Sequence, residues 1–261
     1  MKFLLASDLH TEFWKGKCPL PSLPNPDEYD VVILAGDIGI GTTGIEWALE
    51  YFPMDKEILY LAGNHEFYHQ DYHQFRIDAR KAVEGTRIKL LDPGVVEYDD
   101  CVVIGATLWS SLFLNGYPYQ QDWQYERALS DFRVIKYEGK NFSAENMRTI
   151  NKRETEFIVT SLGSEKKTIV VTHFLPSQDC IAPQYLGDNL NPYFCNDLDW
   201  IMEENKILDW IMEENKIDVW CSGHTHIPYD KIHKSGTRLV CNSYGYLGEN
   251  KWPWDWKVID V

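Results

Sequence analysis

The stretch KFLLASDLH at residues 2–10 decides the fold, because it sets a short apolar run directly before two polar side chains, Asp8 and His10. The same arrangement returns at VVILAGD, residues 31–37, and at EILYLAGNHE, residues 57–66. Apolar runs of this length, rich in β-branched and aliphatic side chains, are typical of buried β-strands. The three stretches therefore predict three buried strands that each end in residues able to carry chemistry.

The same kind of run recurs along the whole chain. Eight strands are predicted in this way, at Lys2–Ala6, Asp30–Ala35, Glu57–Ala62, Cys101–Ala106, Thr168–Thr172, Asp218–Cys221, Arg238–Cys241 and Trp256–Ile259. Four segments have the apolar spacing of helices, at Gly44–Phe52, Tyr68–Val83, Ala144–Leu162 and Leu198–Lys216. Strand and helix alternate in the first third of the chain, which predicts an α/β fold. Because 44% of the 261 residues are apolar, we expect one large core and a single domain over residues 1–261.

Charge and cysteine usage exclude several classes of protein. The 40 acidic residues outnumber the 25 basic ones and give a net charge of -15, which repels polyanions and disfavours a dedicated nucleic-acid-binding role. The six cysteines form no CxxC pair, and several lie in apolar runs, which is typical of reduced, buried thiols. No segment has the roughly 18 consecutive apolar residues of a membrane span. These features predict a cytoplasmic protein without a membrane segment.

Two segments stand apart from the alternation. Residues 108–141 are rich in Trp, Tyr, Gln and Asn without clear periodicity, which favours a lid or a substrate-facing insertion. Residues 198–217 contain the decapeptide LDWIMEENKI twice in tandem. Ten residues advance a helix by nearly three turns and leave the apolar faces of the two copies about 80° out of line. The duplication predicts either a longer helix or bulged loop of little chemical consequence, or an oligomer contact made by the surplus apolar side chains.

The first candidate site residues each follow a predicted strand. Asp8 and His10 are two residues apart on extended backbone, so their side chains point to the same side and can converge on one ion. Asp37 follows a glycine, and one carboxylate between two cations offsets their repulsion. Asn64 adds a neutral oxygen ligand, and His65 beside it can carry a proton near neutral pH. Taken singly, each of these would be interpreted as an ordinary turn residue.

Three further histidines complete the pattern. His173 follows one predicted strand, and His224 and His226 follow another. An open α/β sheet places its ligand site beyond the carboxyl ends of its strands, so all of these side chains should meet at one edge. Oxygen and nitrogen ligands without a thiolate suit Mn or Fe, with Zn as the alternative. The pattern predicts a centre of two divalent or trivalent metal ions.

In this order the motifs resemble those of the calcineurin-like metallophosphoesterase family: D-x-H, G-D, G-N-H-[DE], a lone H and G-H-x-H. The matching positions are Asp8/His10, Gly36–Asp37, Gly63–Glu66, His173 and Gly223–His226. The resemblance implies a four-layer α/β/β/α sandwich with two mixed sheets flanked by helices. It further implies one metal ion on Asp8, His10 and His226, another on Asn64, His173 and His224, and Asp37 between them.

The resemblance also implies an activity. It implies hydrolysis of a small-molecule phosphodiester or phosphomonoester by a hydroxide that bridges the metal ions, with His65 protonating the leaving oxygen or stabilising the transition state. Two divalent ions, two carboxylates and a hydroxide keep a formal charge of about +1, which attracts phosphate. The chain departs from the protein phosphatases, because Ala62 stands where they carry Arg and Ile40 where they carry a second acidic residue. A nuclease and a non-catalytic metal-binding scaffold for protein partners are the alternatives.

The remaining polar residues are assigned less specific roles. His69 and His73, four residues apart on a predicted helix, are interpreted as solvated or as outer-sphere residues. His233 lies in a polar stretch and is interpreted as a surface residue. Arg133 follows the candidate lid, and its guanidinium could bind a substrate phosphate through two hydrogen bonds.

Overall fold

The structure is a computed structural model, which describes residues 1–118, 120–203, 216–250 and 253–261. In chain order its strands are β1 (Lys2–Ala6), β2 (Val31–Ala35), β3 (Glu57–Leu61), β4 (Ile88–Leu90), β5 (Gly94–Glu97), β6 (Cys101–Ala106), β7 (Lys136–Tyr137), β8 (Lys140–Asn141), β9 (Lys167–Thr172), β10 (Val219–Ser222), β11 (Tyr229–Ile232), β12 (Arg238–Cys241) and β13 (Lys257–Asp260). The helices are α1 (Thr43–Tyr51), α2 (Tyr72–Val83), α3 (Asp122–Ala128), α4 (Asp131–Val134), α5 (Ala144–Ser161), α6 (Asn191–Phe194) and α7 (Asp199–Glu203).

These strands form two mixed sheets and a small hairpin. The first sheet has the order β13-β1-β2-β3-β4, with β13 antiparallel to β1 and the other pairs parallel. The second has the order β11-β12-β10-β9-β6-β5, in which the two edge strands are antiparallel to their neighbours. The hairpin pairs β7 with β8. The predicted α/β fold with two mixed sheets is confirmed.

Three clusters of buried side chains define the layers. One lies between the sheets and joins Phe3 and Leu5 of the first sheet to Val103 and Ile169 of the second. A second covers the outer face of the first sheet, where α1 and α2 pack. A third covers the outer face of the second sheet, where Ile201 of α7 is fully buried. Helices therefore flank two stacked sheets, which confirms the expected four-layer arrangement.

The predicted bounds of the long elements agree with the observed ones, apart from the start of α2. The helix predicted at Tyr68–Val83 begins only at Tyr72, because a 3₁₀ turn at His65–Phe67 comes first and Asp71 caps the helix by accepting a hydrogen bond from the His73 amide. Residues 204–215, which hold most of the second decapeptide, lie outside the described residues. The helix predicted at Leu198–Lys216 and the predicted oligomer contact therefore stay predictions there.

Two further expectations concern membrane segments and thiols. In the described ranges, no helix is both long and apolar enough to cross a membrane. All six cysteines carry free thiols, and five of them are buried. Burial raises the pKa of the Cys221 thiol to about 12, so this side chain remains protonated and packs as an apolar group.

Glu154 on α5 gives the stability of the fold a pH dependence. Its carboxyl group is buried, accepts the Trp109 amide at 3.2 Å, and has a pKa that burial raises from 4.5 to about 8. The folded state thus binds the Glu154 proton more tightly than the unfolded state. The stability that this proton contributes is complete below about pH 4.5 and is lost as the pH rises through 8. In the parent protein we therefore expect the free energy of unfolding to fall by a few kcal/mol between pH 5 and about 8. The Glu154→Gln variant should not show this fall.

Urea unfolding of both proteins across this pH range, at fixed metal content, measures the effect. Glu156→Gln is the matched control, because Glu156 lies on the same helix but is exposed. The assignment is wrong if Glu154→Gln and the parent lose stability equally over this range.

Candidate metal centre

Strained backbone marks the carboxyl edge of the two sheets. Asp8, His10, Asp37, His224 and His226 all have positive φ angles, between 49° and 65°. Such left-handed conformations are uncommon for residues other than glycine and tend to occur at functional sites. Five of the seven predicted ligands thus adopt an uncommon left-handed conformation.

Glycines let the loops that carry these residues approach one another. Gly36 has a φ of 89°, and a Cβ atom there would lie 2.7 Å from the amide nitrogen of Gly63. A Cβ on Gly223 would lie 2.8 Å from the carboxylate of Asp8. Side chains at these positions would therefore separate the loops that bring the predicted ligands together.

The predicted ligands fall into two groups that share Asp37. One group contains Asp8, His10, Asp37 and His226, whose ligand atoms lie within 4.8 Å of one another. The other contains Asp37, His173 and His224 at the same spacing. The Asn64 Oδ1 atom lies 3.1 Å from Nε2 of His173 and so joins the second group. The structure thus brings all seven residues together in two groups that share Asp37.

Three imidazoles are held so that Nε2 faces the centre. Nδ1 of His173 lies 2.9 Å from the Ala35 carbonyl oxygen, Nδ1 of His226 lies 2.7 Å from Glu249, and Nδ1 of His10 lies 3.3 Å from Glu12. Each acceptor favours the tautomer with a proton on Nδ1, which leaves the Nε2 lone pair free to bind a metal. Glu12 and Glu249 therefore act as outer-sphere partners of the predicted ligands.

The resulting nitrogen atoms fit bound cations. Nε2 of His10 and Nε2 of His226 lie 3.1 Å apart, a contact of two lone pairs that is repulsive without a cation between or beside them. Nε2 of His224 is buried and has no hydrogen-bond partner among the described residues. Burial and the neighbouring His173 hold the pKa of His224 well below its usual range, so it is neutral and able to bind a metal. The donor set, with oxygen and nitrogen and no sulfur, suits two transition-metal ions.

His65 lies beside this centre without belonging to either group. Its Nε2 atom is 3.9 Å from the Asp37 carboxylate and 3.3 Å from the Tyr246 hydroxyl, and its Nδ1 atom is 2.9 Å from Glu12. Burial lowers the pKa of His65, but the charges of Asp37 and Glu12 outweigh it and raise the pKa to about 9. The imidazole is therefore held next to the centre in a form that can donate a proton.

Glu66, the last residue of the third motif, holds two loops together. Its buried carboxylate accepts hydrogen bonds from the amides of Asp37, Ile38 and Gly63 at 2.7–3.0 Å and from the Tyr60 hydroxyl at 2.9 Å. The carboxylate faces backbone donors rather than the metal groups. The acidic residue of this motif is thus a structural residue that fixes Asp37 and Asn64 relative to each other.

Asp131 was not predicted from the sequence, yet it orients a predicted ligand. Its buried carboxylate accepts hydrogen bonds from the Asn64 amide at 3.2 Å, the Tyr68 hydroxyl at 2.8 Å and the Tyr193 hydroxyl. Because the Asn64 side-chain nitrogen is bound in this way, its oxygen is the atom turned towards His173. Asp131 lies more than sixty positions from Asn64, so no local pattern could have indicated this contact.

A cavity of about 460 Å³ opens beside the centre. Asp37, Asn64, His65, His224 and His226 line its floor. Its walls are mainly aromatic and aliphatic, formed by Tyr68, Leu129, Leu175, Ile181, Tyr185, Leu190, Tyr193, Phe194 and Tyr246. The carboxylates of Asp131, Asp188 and Glu249 also line it, and no Lys or Arg does so within the described parts of the chain.

The less specific assignments have mixed outcomes. Arg133 is exposed, donates to the Arg127 carbonyl oxygen at 2.7 Å and does not line the cavity, so its predicted contact with substrate phosphate is not supported. His69 is exposed and His73 half-buried, outside both ligand groups. The surface role predicted for His233 is wrong: the residue is 2% exposed, because the turn after β11 folds its ring inward.

Solved structures share this architecture. Phosphopantetheinyl hydrolase from Mycobacterium tuberculosis superposes with a TM-score of 0.67 at 19% identity, over 94% of this chain and 89% of that one. A dimetal phosphatase from Danio rerio superposes with a TM-score of 0.51 at 13% identity, over 92% and 86% of the two chains. At such identities the likeness concerns the fold.

Sequence comparison bears on the family of the chain as well as on its fold. A protein of Acanthamoeba polyphaga mimivirus, named Uncharacterized protein L509, is 27% identical over 273 aligned positions, which cover 93% of this chain and 90% of that protein. The sequence model described as calcineurin-like phosphoesterase matches residues 1–228, the part of the chain that contains both ligand groups. The chain therefore belongs to the calcineurin-like phosphoesterase family.

Proposed function

We propose that this protein hydrolyses small phosphodiesters that carry an apolar or aromatic group, at a centre of two metal ions. Asp8, His10 and His226 would hold one ion, Asn64, His173 and His224 would hold the other, and Asp37 would serve both. The observation that carries the proposal is the two ligand groups that share Asp37, with His65 and an apolar cavity beside them. Mn or Fe suits this oxygen and nitrogen set, with Zn as the alternative.

The protein's own residues have separate tasks in the reaction. When bound, the two ions supply Lewis-acid stabilisation of phosphoryl oxygens and acidify water. His65 holds the proton that the leaving oxygen needs, and Glu12 keeps its ring oriented through the 2.9 Å contact at Nδ1. The aromatic walls bind the ester group and exclude water from it. Ala128–Asp131 line the cavity, which supports a substrate-facing role for the segment 108–141.

The charge of the cavity favours diesters over monoesters. A phosphomonoester carries up to two negative charges near pH 7, whereas a diester carries one. The carboxylates of Asp131, Asp188 and Glu249 line the cavity, and no Lys or Arg of its described lining offsets them, so the second charge is unfavourable. The same acidic surroundings and the net charge of -15 disfavour a nuclease. A non-catalytic scaffold would have no need of His65 beside a full ligand set.

A comparison of matched substrates tests this proposal. We expect bis(p-nitrophenyl) phosphate to be cleaved with a kcat/KM at least about tenfold above that of p-nitrophenyl phosphate, a difference of about 1.4 kcal/mol. Phenyl p-nitrophenyl phosphate should exceed methyl p-nitrophenyl phosphate by about tenfold or more, because burying a ring contributes roughly 1.5–3 kcal/mol. These two diesters share their charge and leaving group. Preference for the monoester, or equal rates for the phenyl and methyl diesters, would contradict the assigned substrate class.

A further inference from the structure

A second cluster of metal-binding side chains lies away from the cavity, on the outer side of the second sheet. It consists of His233 in the turn after β11, Asp199 and Glu203 on α7, and Asp179 in the 3₁₀ turn Gln178–Cys180. Nε2 of His233 lies 3.6 Å from Asp199, 3.9 Å from Glu203 and 3.9 Å from Asp179. Three carboxylates from two different elements thus surround one imidazole nitrogen.

The Nε2 atom of His233 lacks a hydrogen-bond partner among the described residues. The His233 side chain is fully buried, yet its Nε2 atom has no hydrogen-bond partner within the described ranges of the chain. The Asp199 Oδ1 atom is likewise buried without such a partner. An unsatisfied buried polar atom is costly, so two of them within one cluster indicate a missing partner.

The other ring nitrogen fits a metal-binding tautomer. Nδ1 of His233 lies 2.8 Å from the Ser235 hydroxyl, which in turn donates to Thr237 at 3.0 Å, and Thr237 donates to the Ile217 carbonyl oxygen. The Ser235 hydroxyl can accept a proton from Nδ1, and the Ser235 backbone amide, 3.3 Å from the same atom, can instead donate to it, so Nδ1 has a partner in either tautomer. A metal ion at Nε2 would select the tautomer that has its proton on Nδ1 and a lone pair on Nε2 directed at the carboxylates.

We propose that His233, Asp199 and Glu203, with Asp179 at the rim, bind a third divalent transition-metal ion that clamps α7 to the edge strand β11. Ligand atoms around a tetrahedral zinc ion lie about 3.4 Å apart, slightly closer than the 3.6–3.9 Å observed here. One imidazole among carboxylates favours Zn²⁺ or Mn²⁺ over the all-oxygen sites of Ca²⁺. The carboxylates are partly exposed, so an ion can enter from solvent.

Lys234 already forms an ion pair with one carboxylate of the cluster. Lys234 lies 2.7 Å from a Glu203 oxygen, but its side chain is 66% exposed and can turn into solvent when an ion binds. Lys231 donates to the backbone carbonyl of Asp179 and leaves that carboxylate available. Neither lysine is a hydrogen-bond partner of His233 Nε2.

Counting bound ions tests the proposal in the full chain. The parent protein and His233→Gln are each stripped with a chelator, loaded with Zn²⁺ and desalted, and the bound zinc is counted by plasma mass spectrometry. We expect the parent protein to retain one more ion per chain than His233→Gln. The difference is the result that matters, since it does not depend on occupancy of the two-metal centre. His233→Gln should keep its rate of diester hydrolysis. Equal ion counts would overturn the proposal.

The tandem decapeptide offers a matched control. Asp199→Asn/Glu203→Gln changes the first copy, and Asp209→Asn/Glu213→Gln makes the same changes in the same local sequence of the second. The double variant in the first copy is expected to lose one ion per chain, and the double variant in the second copy is expected to lose none. Because Asp199 and Glu203 are partly exposed, this variant should fold even if His233→Gln does not. Loss of the ion only in the second pair would show that these carboxylates are not the ligands.

Discussion

Replacing His65 by asparagine is expected to lower kcat for diester hydrolysis by about 10²–10⁴-fold while both ions of the centre stay bound. His65 Nε2 lies beside Asp37 and faces the cavity, but the residue belongs to neither ligand group. Asparagine keeps a shorter polar side chain and removes the ability to carry a proton. The loss should therefore appear in the chemical step rather than in metal content.

The leaving group distinguishes an acid from a residue that only binds substrate. A p-nitrophenolate leaves readily without a proton, whereas an alkoxide does not, so the loss in His65→Asn should be larger for an alkyl ester than for a p-nitrophenyl ester. Glu12→Gln is the companion variant, because it keeps the His65 imidazole and weakens its 2.9 Å contact, together with the 3.3 Å contact to His10; we expect a smaller loss. If both esters were slowed equally with the ions retained, His65 would not be the acid.

Replacing Asp37 by asparagine is expected to affect metal binding itself. Asp37 is the residue that both ligand groups share, and its carboxylate lies 3.4 Å from His173 and 3.9 Å from His10. A unit charge contributes about 4 kcal/mol to attraction of an opposite charge 4 Å away at an effective dielectric constant of 20. Losing it weakens binding of the pair by on the order of 10³-fold, since about 1.4 kcal/mol corresponds to tenfold.

Metal content after dialysis and hydrolysis at saturating Mn²⁺ measure this effect. Asp188→Asn is the matched control, because Asp188 lines the same cavity but lies in neither ligand group, and we expect it to keep both ions. Asp37→Asn that retains two ions with unchanged affinity would show that Asp37 does not bridge them.

The sequence predicted the interior of the fold better than its edges. The central strands of both sheets are buried on two sides, so they appear as continuous apolar runs, and their predicted bounds agree with the observed ones to within about two residues. The strands that were missed include β4, β5 and β11, each at the edge of a sheet. The residues of β11 are mostly exposed and read YDKI, which carries no apolar signal.

The candidate site shows the same division. Ligands that follow strands could be found, because strand ends meet at one edge whatever the loops do. Glu12, Asp131 and Glu249 could not, since they reach their histidine or asparagine partners through tertiary packing rather than through a fixed spacing. His233 was misassigned for a related reason: its polar neighbours in the sequence suggest a surface loop, while the turn directs its ring towards α7.

Metal dependence of diester hydrolysis tests the two-metal centre most directly. Protein shown to be metal-free after chelation is expected to leave bis(p-nitrophenyl) phosphate intact and to regain hydrolysis when Mn²⁺ is added back. Hydrolysis that persists in the metal-free protein would contradict the centre as the site of catalysis. So would a protein that binds Mn²⁺, Fe²⁺ or Zn²⁺ at this centre and cleaves no phosphate ester with any of them.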